Sequence, residues 1–142
     1  MTSSEKKKVL LAEDDASMRR FVEIILRQAG YEVLTAEDGL QAMQIALENK
    51  INAVVADAIM PHLSGYDLCR MLRGNAEKQD VPFVILSGLV QEKTAESDCL
   101  ADAYLIKDSN LKENLISTLE KIILKSAKIK SESKKSKSGK AD

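Results

Sequence analysis

Along this chain, short unbroken apolar runs alternate with longer stretches whose apolar residues recur every three or four positions. Val9-Leu10-Leu11-Ala12 is such a run, the pattern of a strand buried on both faces. Behind it, Met18, Phe21, Val22, Ile25, Leu26 and Ala29 fall at i, i+3, i+4, i+7, i+8 and i+11. That is one apolar helical stripe. Asp15 is placed to cap its start, and Gly30 to end it in the left-handed conformation. The alternation then repeats. Further strands are predicted over 31–36, 51–56, 81–86 and 103–106. Further helices are predicted over 40–47, around Leu68, Met71 and Leu72 up to Gly74-Asn75, over 91–100, and from Leu111 with Leu115, Leu119, Ile122 and Ile123 on one face. The 91–100 helix is mostly polar and has only a weak apolar side.

Strands alternating one for one with helices imply an α/β fold: a parallel sheet with helices on both faces, joined by right-handed crossovers. In open sheets of this kind, ligands bind beyond the carboxyl ends of the strands. Glu13-Asp14-Asp15, Asp57, Ser87 and Lys107 each follow directly on an apolar strand. The pattern therefore predicts that these polar residues share one crevice.

Carboxylates gathered in a crevice repel one another and resist joint ionisation. Asp15 is accounted for as a helix cap, but Asp14 and Asp57 at the tips of neighbouring strands are not. A divalent cation would relieve the repulsion. Oxygen donors with positions left for water and a phosphoryl group suit Mg²⁺ or Mn²⁺ better than Zn²⁺. Lys107 adds a fixed positive charge, and Ser87 a hydroxyl able to donate to an anionic oxygen. Carboxylate, metal and lysine around one cavity form a set fit for phosphoryl transfer, with Asp57 as nucleophile. No Walker sequence and no Gly-x-Gly-x-x-Gly run is present, so a nucleotide is not the expected donor.

Composition narrows the class. Hydrophobic residues make up 44% and charged residues 30% of 142 residues, enough for one domain with a real core. Aromatics reach only 4% and Trp is absent, so the core rests on aliphatic side chains. No apolar run approaches membrane-spanning length, and the N-terminus has no signal-peptide character. Cys69 and Cys99 lack metal-ligand spacing and read as reduced thiols of a cytoplasmic protein. Charge is uneven. Residues 126–142 hold six Lys against Glu132 and Asp142, so of the net −1 the preceding 125 residues carry five negative charges. Rich in Lys and Ser, with Ile129 its only large apolar residue, that stretch is expected to be a disordered, solubilising tail. The expected organisation is a flexible N-terminus over 1–7, a domain over 8–125 and the tail over 126–142.

The strand-end residues resemble those of the receiver domains of bacterial two-component response regulators, including stand-alone chemotaxis-type members. The resemblance spans about residues 8–125. It rests on the acidic end of the first strand (Glu13-Asp14-Asp15), the acceptor loop Asp57-Ala58-Ile59-Met60-Pro61-His62-Leu63-Ser64-Gly65, Leu86-Ser87-Gly88 and Tyr104-Leu105-Ile106-Lys107. It implies a flavodoxin-like five-stranded sheet of order 2-1-3-4-5 with five helices on two faces. It also implies Asp57 as phosphoacceptor, with Mg²⁺ held by Asp14, Asp57 and the backbone carbonyl of Ile59, and by Glu13 through a water. Lys107 and Ser87 would bind the phosphoryl group, and Ser87 and Tyr104 would act as switch residues. Ile59 and Leu89 would flank the path of the hydrolytic water. The implied partners are a sensor histidine kinase or histidine phosphotransfer protein, and an output protein at the face of the fourth helix, fifth strand and fifth helix. Neither a membrane nor nucleic acid is expected as a partner, and no DNA-binding residue is identified.

The chain departs from the family's pattern in three places. Glu13 stands where Asp is more frequent, and Ser64 where Asp usually precedes the loop glycine. Asp108 follows Lys107 in place of Pro; a cis bond before a non-proline residue costs roughly 2.5–4 kcal/mol, so a trans bond is expected. The resulting expectation is a stand-alone response regulator that signals to a protein partner or relay: a phosphoacceptor signalling protein that assists its own phosphorylation and dephosphorylation, not an enzyme in the usual sense. Two other readings stand beside it. One is a phosphorylation-independent docking module of receiver-like fold. The other is a metal-dependent phosphohydrolase that forms an aspartyl phosphate. His62, the single histidine, reads as a solvated loop residue.

Overall fold

The computed structural model describes residues 5–88 and 100–140, with side chains up to residue 131. Nine elements follow one another: β1 (Lys8–Ala12), α1 (Ala16–Gln28), β2 (Glu32–Ala36), α2 (Gly39–Glu48), β3 (Ala53–Asp57), α3 (Gly65–Arg73), β4 (Phe83–Ser87), β5 (Ala103–Ile106) and α4 (Leu111–Lys140). The strands form a single sheet of order β2-β1-β3-β4-β5, every neighbouring pair parallel. This is the order implied by the resemblance. Among the described residues there are four helices. The helix expected over 91–100 falls almost wholly outside them; only Leu100 is described, and it lies outside any helix with φ 66°.

The unbroken apolar runs follow from there being two cores. Alternate residues of a strand face opposite sides of a sheet. Leu10, Ala12, Val54, Ala56, Phe83 and Ile85 join the core on the α2–α3 side, where Ala42, Ala46, Leu68, Cys69 and Leu72 cover them. Val9, Leu11, Ala53, Val55, Val84 and Leu86 join the other, under Val22 and Leu26 of α1 and Leu111, Leu115, Leu119 and Ile123 of α4. A strand covered on both faces has no polar side to alternate with.

Several local expectations meet the structure directly. Asp15 caps α1 by accepting the Met18 N–H at 2.7 Å, and Gly30 adopts φ 101°. Asp38 and Ser64 cap α2 and α3 in the same way. One expectation needs correction. Phe21 and Ala29, placed on the buried stripe of α1, are exposed, Phe21 at 51%; Val22, Ile25 and Leu26 fill the interface. On α2 the small Ala42 and Ala46 are buried while Leu40 and Leu47 face outward, which lets this helix lie close to the sheet.

α4 runs on through residues 126–140. In the folded chain Leu111, Leu115, Leu119 and Ile123 already hold a helix against the sheet, so nucleation is complete and each added residue meets only the small cost of propagation. No proline interrupts the stretch. Of the predicted flexible N-terminus, residues 5–7 are described as irregular and exposed.

Candidate functional site

Parallel pairing brings the predicted residues together. β3 and β4 align Asp57 with Leu86, and β4 and β5 align Ser87 with Ile106. The ladder extends one bond further, from Lys107 N–H to the Ser87 carbonyl at 2.9 Å. β1 lies between β2 and β3, so Glu13 and Asp14 emerge beside Asp57, where the strand order reverses. Asp57 and Ser87 close their strands rather than following them, as the ladder continues one residue past the apolar runs.

Lys107 Nζ lies 2.9 Å from Asp57 Oδ1 and 3.2 Å from Glu13 Oε1. Glu13, Asp14 and Asp57 each bring one carboxylate oxygen to within 4.8 Å of the others. Asp57 and Ser87 are buried, Glu13 is 1% exposed, and Asp14 faces solvent. Glu13 Oε2 accepts the Asp15 N–H at 3.2 Å, whereas Oε1, despite its distance to Lys107, receives no aligned hydrogen bond. Burial, and next the charge of Asp57, push the Glu13 carboxyl from 4.5 up to about 7. Burial works against the Lys107 charge, but Asp57 and Glu13 outweigh it and hold the ammonium above its usual range.

The loop after Asp57 is fixed by close backbone packing. Ala58 N–H donates to the Leu86 carbonyl at 2.8 Å, and Gly65 N–H to the Ala58 carbonyl at 3.0 Å. A Cβ at position 65 would collide with the Asp57 carbonyl oxygen, so only glycine fits. Ile59, two residues beyond Asp57, is 64% exposed. His62 is an exposed loop residue at φ 71°, spanned by a Leu63 N–H to Pro61 carbonyl bond of 2.7 Å. Tyr104 is half-buried on β5, against the α2–α3 core. The Lys107–Asp108 bond is trans; Asp108 Oδ1 accepts the Asn110 N–H at 2.9 Å and shapes the entry to α4. Leu89 lies outside the described residues.

Sequence reasoning missed Arg19, whose Nη1 donates to the Glu13 carbonyl at 2.9 Å and braces the acidic strand end. A signal existed. A cation near the start of a helix opposes the helix dipole and calls for a partner.

The donor set fits a hard divalent cation. It consists of oxygens only, one of them a buried carboxylate oxygen without an aligned hydrogen bond, around a net negative cleft. The fold and site thus define a doubly wound α/β protein with an acidic, cation-competent cleft at the switch point of its sheet.

Comparison with known proteins gives the family. Residues 9–120 match the response regulator receiver domain, and the chain belongs to that family. It is 39% identical over 110 residues to the probable transcriptional regulator ycf27 of Cyanophora paradoxa, a match that covers 76% of this chain and 45% of that protein. The chain thus spans less than half the length of the curated relatives it matches. Among solved structures it resembles the chemotaxis response regulator CheY4 of Vibrio cholerae, at 31% identity and TM-score 0.76, covering 83% of this chain and 99% of that one. It also resembles the receiver domain of the sensor histidine kinase PA1611 from Pseudomonas aeruginosa, at 27% identity and TM-score 0.78, covering 84% and 98%. That structure has a magnesium ion coordinated in its active site cleft. Among the described residues no helix is long and apolar enough to cross a membrane.

Proposed function

We propose that this receiver accepts a phosphoryl group from a phosphohistidine onto Asp57 and passes the signal on through a change of surface. The observation that carries the reading is the position of Asp57. It is buried at the tip of β3, 2.9 Å from Lys107 Nζ and grouped with Glu13 and Asp14. An Asp57 carboxylate oxygen forms the new bond to phosphorus as the phosphorus–nitrogen bond breaks. The electron pair leaves with the imidazole, which then takes a proton from solvent. Lys107 meets the charge of the transferred group, and the Ser87 hydroxyl donates to one of its oxygens. Asp14, Asp57 and the Ile59 carbonyl would hold Mg²⁺, with Glu13 acting through a water. The ion would neutralise charge on the transferred group.

Ser87 drawn toward the phosphoryl group frees space beside Tyr104, and the ring turning inward alters the face that includes β5 and α4. The donor would be a sensor histidine kinase or histidine phosphotransfer protein, and the recipient an output protein bound at that face. With Mg²⁺ and acetyl phosphate the protein should gain one acid-labile phosphoryl group, read by mass spectrometry as an 80 Da gain. Asp57→Asn should abolish it, and Asp14→Asn should weaken its Mg²⁺ dependence. Labelling of Asp57→Asn at the wild-type level sinks the assignment.

A further inference from the structure

We propose that the N-terminal edge of the sheet and the projecting part of α4 form a second interaction surface, one that binds the phosphate backbone of double-stranded nucleic acid. Two grooves flank α4 at that edge, of about 500 Å³ and about 390 Å³. Asp80, Pro82, Ser126 and Lys130 line both. Lys125 lies on one side; Lys7, Lys50 and Lys78, from three other parts of the chain, lie on the other. With the mutually paired Arg73 and Asp102 set aside, these five lysines face only Glu77 and Asp80. Among the described residues Lys7, Lys50, Lys125 and Lys130 have no ion-pair partner.

The helix carries the same charge outward. Lys121, Lys125 and Lys128 fall at i, i+4 and i+7, one stripe on a helix that runs to Lys140 and whose last buried residue is Ile123. The 17 residues beyond that point extend about 25 Å at 1.5 Å each. Coil would scatter these charges; helix sets Lys130 toward the grooves, Lys125 at the rim of one, and Lys121 and Lys128 along the outward side, so the projecting helix presents lysine on more than one face.

The chemistry selects the partner. Past Ile123 the only large apolar residues are Leu124 and Ile129, too few to seat the helix in a bilayer interface. No aromatic residue follows Tyr104, so bases have nothing to stack on, which disfavours a single strand. A duplex offers dense, regular phosphates and needs only cations. The acidic crevice lies at the opposite ends of the strands, beyond a Debye length of about 10 Å at 0.1 M salt, so its charge is screened from this face. The proposal is independent of the phosphoacceptor reading.

Fluorescence anisotropy with a labelled 20-base-pair duplex of arbitrary sequence tests it. Binding is expected at 50 mM KCl and should weaken by about 10²- to 10³-fold at 200 mM, the loss for about five neutralised phosphates. Substituting Lys125→Glu, Lys128→Glu and Lys130→Glu together should weaken binding at 50 mM at least about tenfold. Lys7→Glu with Lys50→Glu, across the groove, should weaken it about threefold or more. All five positions are exposed, and unchanged melting temperatures would confirm intact folding. The proposal is overturned by no duplex binding at 50 mM, by binding insensitive to salt, or by both variants binding like wild type. Binding to phosphatidylglycerol vesicles without binding to duplex overturns it in favour of a membrane.

Discussion

At the N-terminal edge of the sheet, Arg73 donates to the carbonyls of Leu100, Gln79 and Val81 at 3.0, 3.1 and 2.7 Å and to Asp102 Oδ2 at 3.1 Å. The same Asp102 oxygen accepts the Phe83 N–H at 2.8 Å. At the C-terminal edge, one lysine faces two carboxylates, a third stands nearby, and a buried Glu13 oxygen lacks an aligned hydrogen bond. The first cluster is satisfied internally and closes the loops that lead into β4 and β5. The second keeps a buried carboxylate oxygen without an aligned hydrogen bond. Both comprise charged side chains at the ends of the same strands, so residue type alone does not separate structural charge from functional charge. Satisfaction does. Satisfied charge rigidifies a fold, whereas unsatisfied buried charge destabilises it and persists where a ligand repays the cost.

Breaking the satisfied cluster should produce the largest effect on stability. Arg73→Ala leaves three carbonyls without this donor and Asp102 with the Phe83 N–H alone, and should cost about 3 kcal/mol in urea unfolding. Labelling of the folded fraction at Asp57 should be unchanged, which is the opposite of Asp57→Asn. If Arg73→Ala costs under about 1 kcal/mol, the contrast between the two edges fails.

The unsatisfied cluster should respond to pH. Glu13 sits near 7 in the fold against an ordinary 4.5, so between those values the native state binds more protons than the unfolded chain. Stability of metal-free protein should therefore fall as pH rises through that window, by on the order of 3 kcal/mol for the full shift. Below 4.5 the penalty is absent; above about 7 it is fully present. Glu13→Gln should flatten this slope in unfolding series run in EDTA from pH 4.5 to 8. Equal slopes for variant and wild type would mean that Glu13 carries no such strain.

The smallest effect concerns lifetime at the same edge. Ile59 is apolar and exposed two residues beyond Asp57, where the family resemblance puts it beside the path of the hydrolytic water. Ile59→Asn should shorten the phosphoryl lifetime about fivefold, roughly 1 kcal/mol in the barrier. A lifetime unchanged by that substitution would remove Ile59 from the path.

Much of this was legible before any tertiary contact was known, for a physical reason. Burial on both faces leaves a strand with an unbroken apolar run, and the first charged residue after such a run must lie at its end. Glu13, Asp14, Asp57, Ser87 and Lys107 could therefore be assigned to one crevice from the order of residues alone. Caps work within four residues, so Asp15 and Gly30 were equally visible. What the sequence by itself did not determine depends on neighbours distant along the chain. Which apolar residues of α1 and α2 face the sheet is decided by the packing of the helices on it, which leaves Phe21 and Leu40 exposed and buries Ala42 and Ala46. Arg73 reads as an ordinary basic residue near a helix end until the loops at 79–81 and 100–102 come within reach of its guanidinium. Local pattern determined the order of elements and the chemistry at their ends, and packing decided which charges are satisfied within the fold and which are not.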